Sequence, residues 1–313
     1  MKRVLTLFLV LAMAFSATAC SFSDLQKELE NAMKEPEQVS TDGDSEDNTK
    51  NNAEEQETEK DNSNASSDFS IDETVLLDQD NVKITAKSLE YDYYGDLILD
   101  VLIENNTDQT LNFSIDQFAI NGYMTEYAFL YATVSAGKKS NETIDIPKDE
   151  LDFLDIKTAA DITMTFSVST EEYDEYLRSA PVQLKTSAAE TYDYKYDDSG
   201  EVIYDGSNIK IVAKGLFENA KYDTQSILLY IENNNDFNIT MSTDDVSVNG
   251  FMIDPFFYYD MLPNSHALAT VDFDKEELAS NDISAIKDVT LSFHIIDDNW
   301  DTVTESGEIN ITF

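Results

Sequence analysis

The chain repeats itself, and the repeat limits its fold more than any other feature. Val75-Leu76 and Asp78, then Asn81-Val82-Lys83-Ile84 with Ala86-Lys87, return as Val202-Ile203 and Asp205, then Asn208-Ile209-Lys210-Ile211 with Ala213-Lys214. Ile103-Glu104-Asn105-Asn106 returns as Ile231-Glu232-Asn233-Asn234, and Ile120-Asn121-Gly122-Tyr123-Met124 as Val248-Asn249-Gly250-Phe251-Met252. Lys148, Glu150 and Leu151 match Lys275, Glu277 and Leu278, and Asp161 through Val168 match Asp288 through Ile295. The step is 127 residues from Asn81 to Asn208, 128 from Asn105 to Asn233 and 127 again from Asp161 to Asp288. That is a duplication with one compensated insertion. The period is far above the roughly 20–50 residues of solenoid repeats, so each copy should be a whole domain.

Each copy reads as all-β. Val82, Ile84 and Ala86 alternate with polar residues, as do Ile209, Ile211 and Ala213. Leu97, Leu99, Val101 and Ile103 form one face of the next strand, matched by Ile227, Leu229 and Ile231. Ile162, Met164, Phe166 and Val168 repeat the pattern, matched by Val289, Leu291, Phe293 and Ile295. Period-two alternation marks a sheet with one buried face. Turn chemistry punctuates it at Asn105 to Asp108, Asn233 to Asp236, Asn121-Gly122, Asn249-Gly250 and Asp205-Gly206. One helical turn per copy is predicted, at Lys148 to Leu154 and at Lys275 to Ser280. About seven or eight short strands per copy suggest an immunoglobulin-like sandwich. The expected fold is therefore two tandem immunoglobulin-like β-sandwich domains, 69–186 and 201–313. The linker between them, 187–200, is short enough to set the sandwiches end to end.

The Ile-Glu-Asn-Asn turn, the stretch from Val248 to Pro255 and the Asp-Val-Thr-Leu-Ser-Phe strand at Asp288 resemble uncharacterised immunoglobulin-like domains. Such domains occur, often in tandem, in lipoproteins and other exported proteins of Gram-positive bacteria. The resemblance covers Phe69 to the C-terminus. It implies a fold and a compartment and no activity, because fold alone does not give function.

The N-terminus supports export. Lys2 and Arg3 precede an apolar run from Val4 to Phe15, a signal-peptide pattern too short to span a bilayer comfortably. Small residues lead to Cys20, the sole cysteine, which excludes a disulfide framework. Two processing readings share this site. Ala17-Thr18-Ala19 fits an ordinary secretory cleavage. The same run resembles a lipobox, with Ala17 where that motif usually has Leu, and implies cleavage after residue 19 and a lipid on Cys20. Two acyl chains, at about 0.8 kcal/mol per buried methylene, anchor a protein without a transmembrane helix. The expected location is the outer face of a bacterial cell membrane. Residues 20–68 then form a tether. Ser23 to Glu35 has the capping and apolar spacing of a short helix stopped by Pro36. From Glu37 to Asp68, polar and acidic residues dominate, so that stretch cannot offset its chain entropy and should be disordered.

Charge narrows the partners. Twenty cationic against 63 anionic residues give a net charge of −43, which rules against nucleic acid as a ligand of the folded part. The chain has two histidines, His266 and His294, neither repeated and neither in a triad or metal spacing. No nucleophile elbow or phosphate-cradling loop is present. We therefore expect no catalytic residues and no cofactor, leaving calcium as the one chemical candidate. Oxygen-rich loops can supply its six to eight ligands; the densest are Asp297, Asp298, Asn299 and Asp301, and separately Asp197, Asp198 and Asp205. None has EF-hand spacing. A binding face is the other candidate. Phe256, Phe257, Tyr258 and Tyr259 run consecutively, so one face of that strand serves the core and the other is free to meet a ligand. The first copy has Tyr127, Phe129 and Tyr131 there. The resulting expectation is a tethered, non-catalytic envelope module whose partner is an envelope protein or glycan. A ligand-capturing lipoprotein serving a transporter and a calcium-stabilised adhesin-like module are the alternatives.

Overall fold

The computed structural model describes residues 69–219 and 223–313. The signal peptide, Cys20, the short helix and the acidic tether lie outside the described residues. Strands dominate, and the structure is all-β and of sandwich type. The first half contains β1 (Thr74–Gln79), β2 (Val82–Tyr91), β3 (Leu97–Asn105), β4 (Leu111–Ile120), β5 (Tyr123–Met124), β6 (Tyr131–Val134) and β7 (Lys138–Ile146), then α1 (Lys148–Phe153), β8 (Asp161–Thr170), β9 (Glu175–Arg178) and β10 (Val182–Lys185). The second half follows the same order with β11 (Glu201–Gly206), β12 (Ile209–Asn219), β13 (Thr224–Asn233), β14 (Ile239–Val248), β15 (Phe251–Met252), β16 (Tyr258–Met261) and β17 (Ser265–Asp274), then α2 (Lys275–Ser280), β18 (Asp288–Asp297), β19 (Thr302–Glu305) and β20 (Ile309–Thr312). The two helical turns fall where the sequence predicts them.

Irregularities recur with the strands. The register slips between Ala86 and Ser88 in β2 and between Ala213 and Gly215 in β12. It slips again in β4 after Ile115 and in β14 after Asp244. Each slip is a one-residue bulge, which bends the strand and raises its twist. Asp80-Asn81 and Ser207-Asn208 both take positive φ at both residues, as do Asn121-Gly122 and Asn249-Gly250. These are the two-residue hairpin turns that match the twist of their flanking strands.

The alternating residues go inside. Leu97, Leu99, Val101 and Ile103 are buried, as are Ile227, Leu229 and Ile231, and the β8 and β18 sets behave alike. At about 1.5–3 kcal/mol for each large apolar side chain removed from water, these rows are the main source of stability. Buried asparagines close the sandwich ends. Asn105 donates to the carbonyls of Gln109 and Val134, at 2.9 and 2.8 Å, and accepts from the Thr107 amide. Asn233 donates to those of Phe237 and Leu262 and accepts from the Asn235 amide. The Ile-Glu-Asn-Asn motif is thus a structural clamp for otherwise orphaned backbone groups.

Three sheets carry the fold. The first runs β1-β2-β3-β7. The third runs β15-β14-β18-β19, with β16 and β20 beside it. The middle sheet has ten strands in the order β10-β8-β4-β5-β17-β13-β12-β11, with β6 and β9 attached. It therefore crosses from one half to the other. The short linker suggests sandwiches set end to end, but the contact is closer than that. β5 pairs in parallel with β17 at Tyr123 and His266, where the His266 amide donates to the Gly122 carbonyl at 2.8 Å. The cores interleave as well: Val212 and Tyr230 pack into the first-half core, and Ala119 and Met124 into the second. Linker residue Tyr196 stacks on His266 at 3.6 Å and donates its hydroxyl to the Asn121 carbonyl.

Candidate functional site

The consecutive aromatics divide as a strand requires. Phe257 and Tyr259 are buried in the second core, while Phe256 and Tyr258 are 73% and 49% exposed. Strand register then identifies their counterparts. Phe129 bridges Asp145 as Phe256 bridges Asp272, and Tyr131 pairs with Ser114 as Tyr258 pairs with Ser242. Phe129 and Tyr131 are exposed too, and Leu130 beneath them is buried. The exposed Phe-x-Tyr pair is therefore present in both halves, in the segment where the repeat has returned to its 127-residue step.

A third exposed aromatic recurs in each half, at a position that hydrophobic periodicity does not mark. The β8–β9 turn carries Tyr173 and the β18–β19 turn carries Trp300, again 127 residues apart. Both are exposed, and both hold a left-handed backbone, with φ of 67° and 64°. Tyr173 lies against Tyr131, whose hydroxyl hydrogen bond raises the Tyr173 pKa. A bulky residue in this conformation costs of order 1 kcal/mol, and glycine would remove the strain. Both halves nevertheless keep an aromatic ring there and leave it in solvent, an arrangement that stability does not explain. The signal available in the sequence was an aromatic recurring at one turn position of the repeat.

Carboxylates flank the aromatic face where the halves meet. Glu126 lies near Glu150 of its own half and near Asp260 and Asp272 of the other. Its side chain reaches solvent, yet the surrounding protein and like charges push its pKa up to about 7, with desolvation the larger cause. Burial also raises Asp260, against a hydrogen bond from Thr240. Acidic groups of both halves thus face one another here.

The calcium candidates have other work. Asp297 accepts the backbone amides of Asn299 and Asp301, at 2.8 and 3.0 Å, which holds its carboxyl below the usual range and shapes the turn that presents Trp300. Asp298 accepts from Asn238 at 2.9 Å. In the linker, Asp197 and Asp198 pair with Lys214 and Lys210, at 2.9 and 2.7 Å, and tie the linker to the second half. Asp301 and Asp205 do not close on these carboxylates as a ligand set. Among the described residues no group of three or more His, Cys, Asp or Glu side chains is arranged to hold a metal.

The histidines serve structure. His266 bonds the Tyr230 hydroxyl through Nδ1 at 2.8 Å, and burial holds its imidazole below the ordinary value, opposed by nearby Glu232. His294 lies 3.8 Å from Glu305 on the outer face of the third sheet. Two shallow depressions of about 310 and 410 Å³ occur in the second half, one beside Lys275 and Leu278 and one beside Asp244 and Glu305. Neither includes the exposed aromatics. Among the described residues no helix is long and apolar enough to cross a membrane.

No protein-family model matches the chain, and no curated protein does. Solved structures align at low similarity. The YadV chaperone is 12% identical, with 69% of this chain and 92% of that chain covered and a TM-score of 0.22. A protein of unknown function from Porphyromonas gingivalis W83 is 9% identical, with 70% and 91% covered and a TM-score of 0.20. Red sea bream transglutaminase is 10% identical, with 74% of this chain but 31% of that chain covered and a TM-score of 0.21. At these TM-scores none of them informs the site.

Proposed function

We propose that this protein is an exported, lipid-anchored binding module that grips an envelope glycan through a duplicated aromatic face. The observation that carries the reading is the recurrence of one solvent-facing set in both halves: Phe129, Tyr131 and Tyr173, and Phe256, Tyr258 and Trp300. Exposed rings on a sheet surface stack on sugar faces, and the neighbouring carboxylates and hydroxyls accept and donate hydrogen bonds to sugar hydroxyls. Two equivalent faces on one body suit a ligand that repeats, because the second contact forms at high effective concentration. The role is non-catalytic. Anchoring rests on Cys20 and the apolar run before it, and the acidic stretch to Asp68 would hold the module away from the membrane.

Co-sedimentation of the full chain with insoluble cell-wall glycan tests the reading. The wild-type chain should be retained. A variant with Phe129, Tyr131, Phe256 and Tyr258 all changed to Ala should be released while its melting temperature stays nearly unchanged. A wild-type chain that stays in the supernatant, or a variant retained equally well, would overturn it. Specific retention by an envelope protein in place of glycan would keep the face and replace the ligand. The anchor is tested separately by mass spectrometry of the mature N-terminus, where an unmodified Cys20 would remove the membrane from the account.

A further inference from the structure

The joint between the halves uses two surfaces, and the chain carries a second set of both. On the first half the surface is the Asn121-Gly122 turn with β5, whose Gly122 carbonyl accepts the joint's hydrogen bond. On the second half it is the start of β17, whose His266 amide donates that bond. The equivalents are the Asn249-Gly250 turn with β15 on the second half and the start of edge strand β7 on the first. Both equivalents are open among the described residues. β15 pairs with β14 alone, and β7 pairs with β3 and, near its far end, with Phe129 through Asp145, which leaves the start of its outer edge without a strand neighbour. Tyr123 and Met124 are 8% and 4% exposed, whereas Phe251 and Met252 are 48% and 68% exposed. A Cβ on Gly122 would lie 2.5 Å from the Tyr196 hydroxyl, and one on Gly250 would meet nothing within 4 Å.

We propose that β15 of one chain docks on the start of β7 of a second copy, repeating between chains the pairing that β5 makes with β17 within one. The contact would place Phe251 opposite Lys139, as Tyr123 lies opposite His266, with the Lys139 amide donating to the Gly250 carbonyl. The two surfaces differ, so the contact is heterologous, and it extends head to tail rather than closing as a dimer. Charge favours it in a chain this acidic. Lys138 stands at the β7 start beside Lys139, which already pairs with Glu104 of β3, and Asp254 and Asp288 flank β15. The β7 side chains are polar where β17 offers His266 and Leu268, so the association should be weak and concentration-dependent. Chains anchored side by side on a membrane supply the needed concentration.

Cysteine cross-linking in the full chain tests the register, since Cys20 is the only native thiol and the wild-type chain reports its background. Phe251→Cys and Lys139→Cys sit on exposed positions and should fold normally. Mixed together and treated with a short bismaleimide, the two single variants should give a dimer band that neither gives alone. The double variant should give a ladder. In sedimentation velocity, Phe251→Asp should abolish the rise of sedimentation coefficient with concentration. Cross-linking of Phe251→Cys to itself would show a symmetric contact through β15 and overturn the head-to-tail register. Absence of any mixed dimer at high concentration would overturn self-docking altogether.

Discussion

The Asn-Gly-Tyr-Met turn at 121–124 and the Asn-Gly-Phe-Met turn at 249–252 have almost the same sequence and opposite surroundings. In the first, the aromatic is buried against the linker and the other half. In the second, the aromatic and the methionine stand in water. The local backbone is the same in both, with Asn121 and Asn249 near φ 50° and both glycines at 83°. Each asparagine also makes the same bonds: Asn121 accepts the Ala160 amide and donates to Thr158, and Asn249 accepts the Lys287 amide and donates to Ala285. Local sequence thus sets the turn, and what stands opposite sets its burial. A motif can be structural in one half of a molecule and a free surface in the other.

The largest expected effect separates buried from bare positions. Tyr123→Ala should destabilise by about 3 kcal/mol, since it empties a packed aromatic site, whereas Phe251→Ala should stay within about 0.5 kcal/mol. The same contrast applies along one strand: Phe257→Ala should cost about 3 kcal/mol and Phe256→Ala next to nothing. Urea unfolding of each variant checks both pairs. Equal losses for Tyr123 and Phe251 would dissolve the comparison.

Glycine gives the next effect. Ala at either position 122 or 250 meets the left-handed backbone and should lose about 1 kcal/mol. Gly122→Ala should lose about 1 kcal/mol more, because the new methyl displaces the Tyr196 hydroxyl from the Asn121 carbonyl. Thermal melts of the two variants, side by side, measure the difference.

How much of this was legible in the sequence follows from the same contrast. The alternation at Leu97 to Ile103 and Ile162 to Val168 marked the core rows because burial in a sheet has a fixed period. The paired helical turns were readable from the repeat. The split of Phe256 to Tyr259 into an inner and an outer pair was predicted as a pattern, but which pair faced solvent depended on the register of β16 against β14. The sheet that runs through both halves was not legible. It rests on one parallel contact between residues 143 positions apart, Tyr123 and His266, and no local pattern encodes such a pairing. The acidic loop at Asp297 reads as a cation candidate from composition, but composition does not show that Asp297 also caps its own turn. Tyr173 and Trp300 escaped notice because they lie in turns, where hydrophobic periodicity gives no guide.

The smallest effects are in pH, and the joint should respond in two opposed ways. Glu126 has a folded pKa near 7 against an ordinary value of 4.5. Protons therefore bind the folded state first, and this group's contribution to stability rises as pH falls from about 7 toward 4.5. His266 has a folded pKa below its ordinary 6.5. The unfolded state then binds its proton first, so stability present above pH 6.5 is lost as pH falls below it. Melting curves between pH 8 and 5 should show the acid-side gain removed by Glu126→Gln and the acid-side loss removed by His266→Gln. A wild-type profile left unchanged by both variants would contradict the reading of this joint.

The central claim is that both aromatic faces engage one repeating ligand, and affinity for soluble wall-glycan fragments tests it most directly. Isothermal titration of the full chain should be compared with Phe129→Ala/Tyr131→Ala and with Phe256→Ala/Tyr258→Ala. If the faces act together, disabling either one should weaken binding at least about tenfold, because avidity is lost with the second contact. If either double variant binds as tightly as wild type, with at most a halved stoichiometry, the faces do not share a ligand and the account fails.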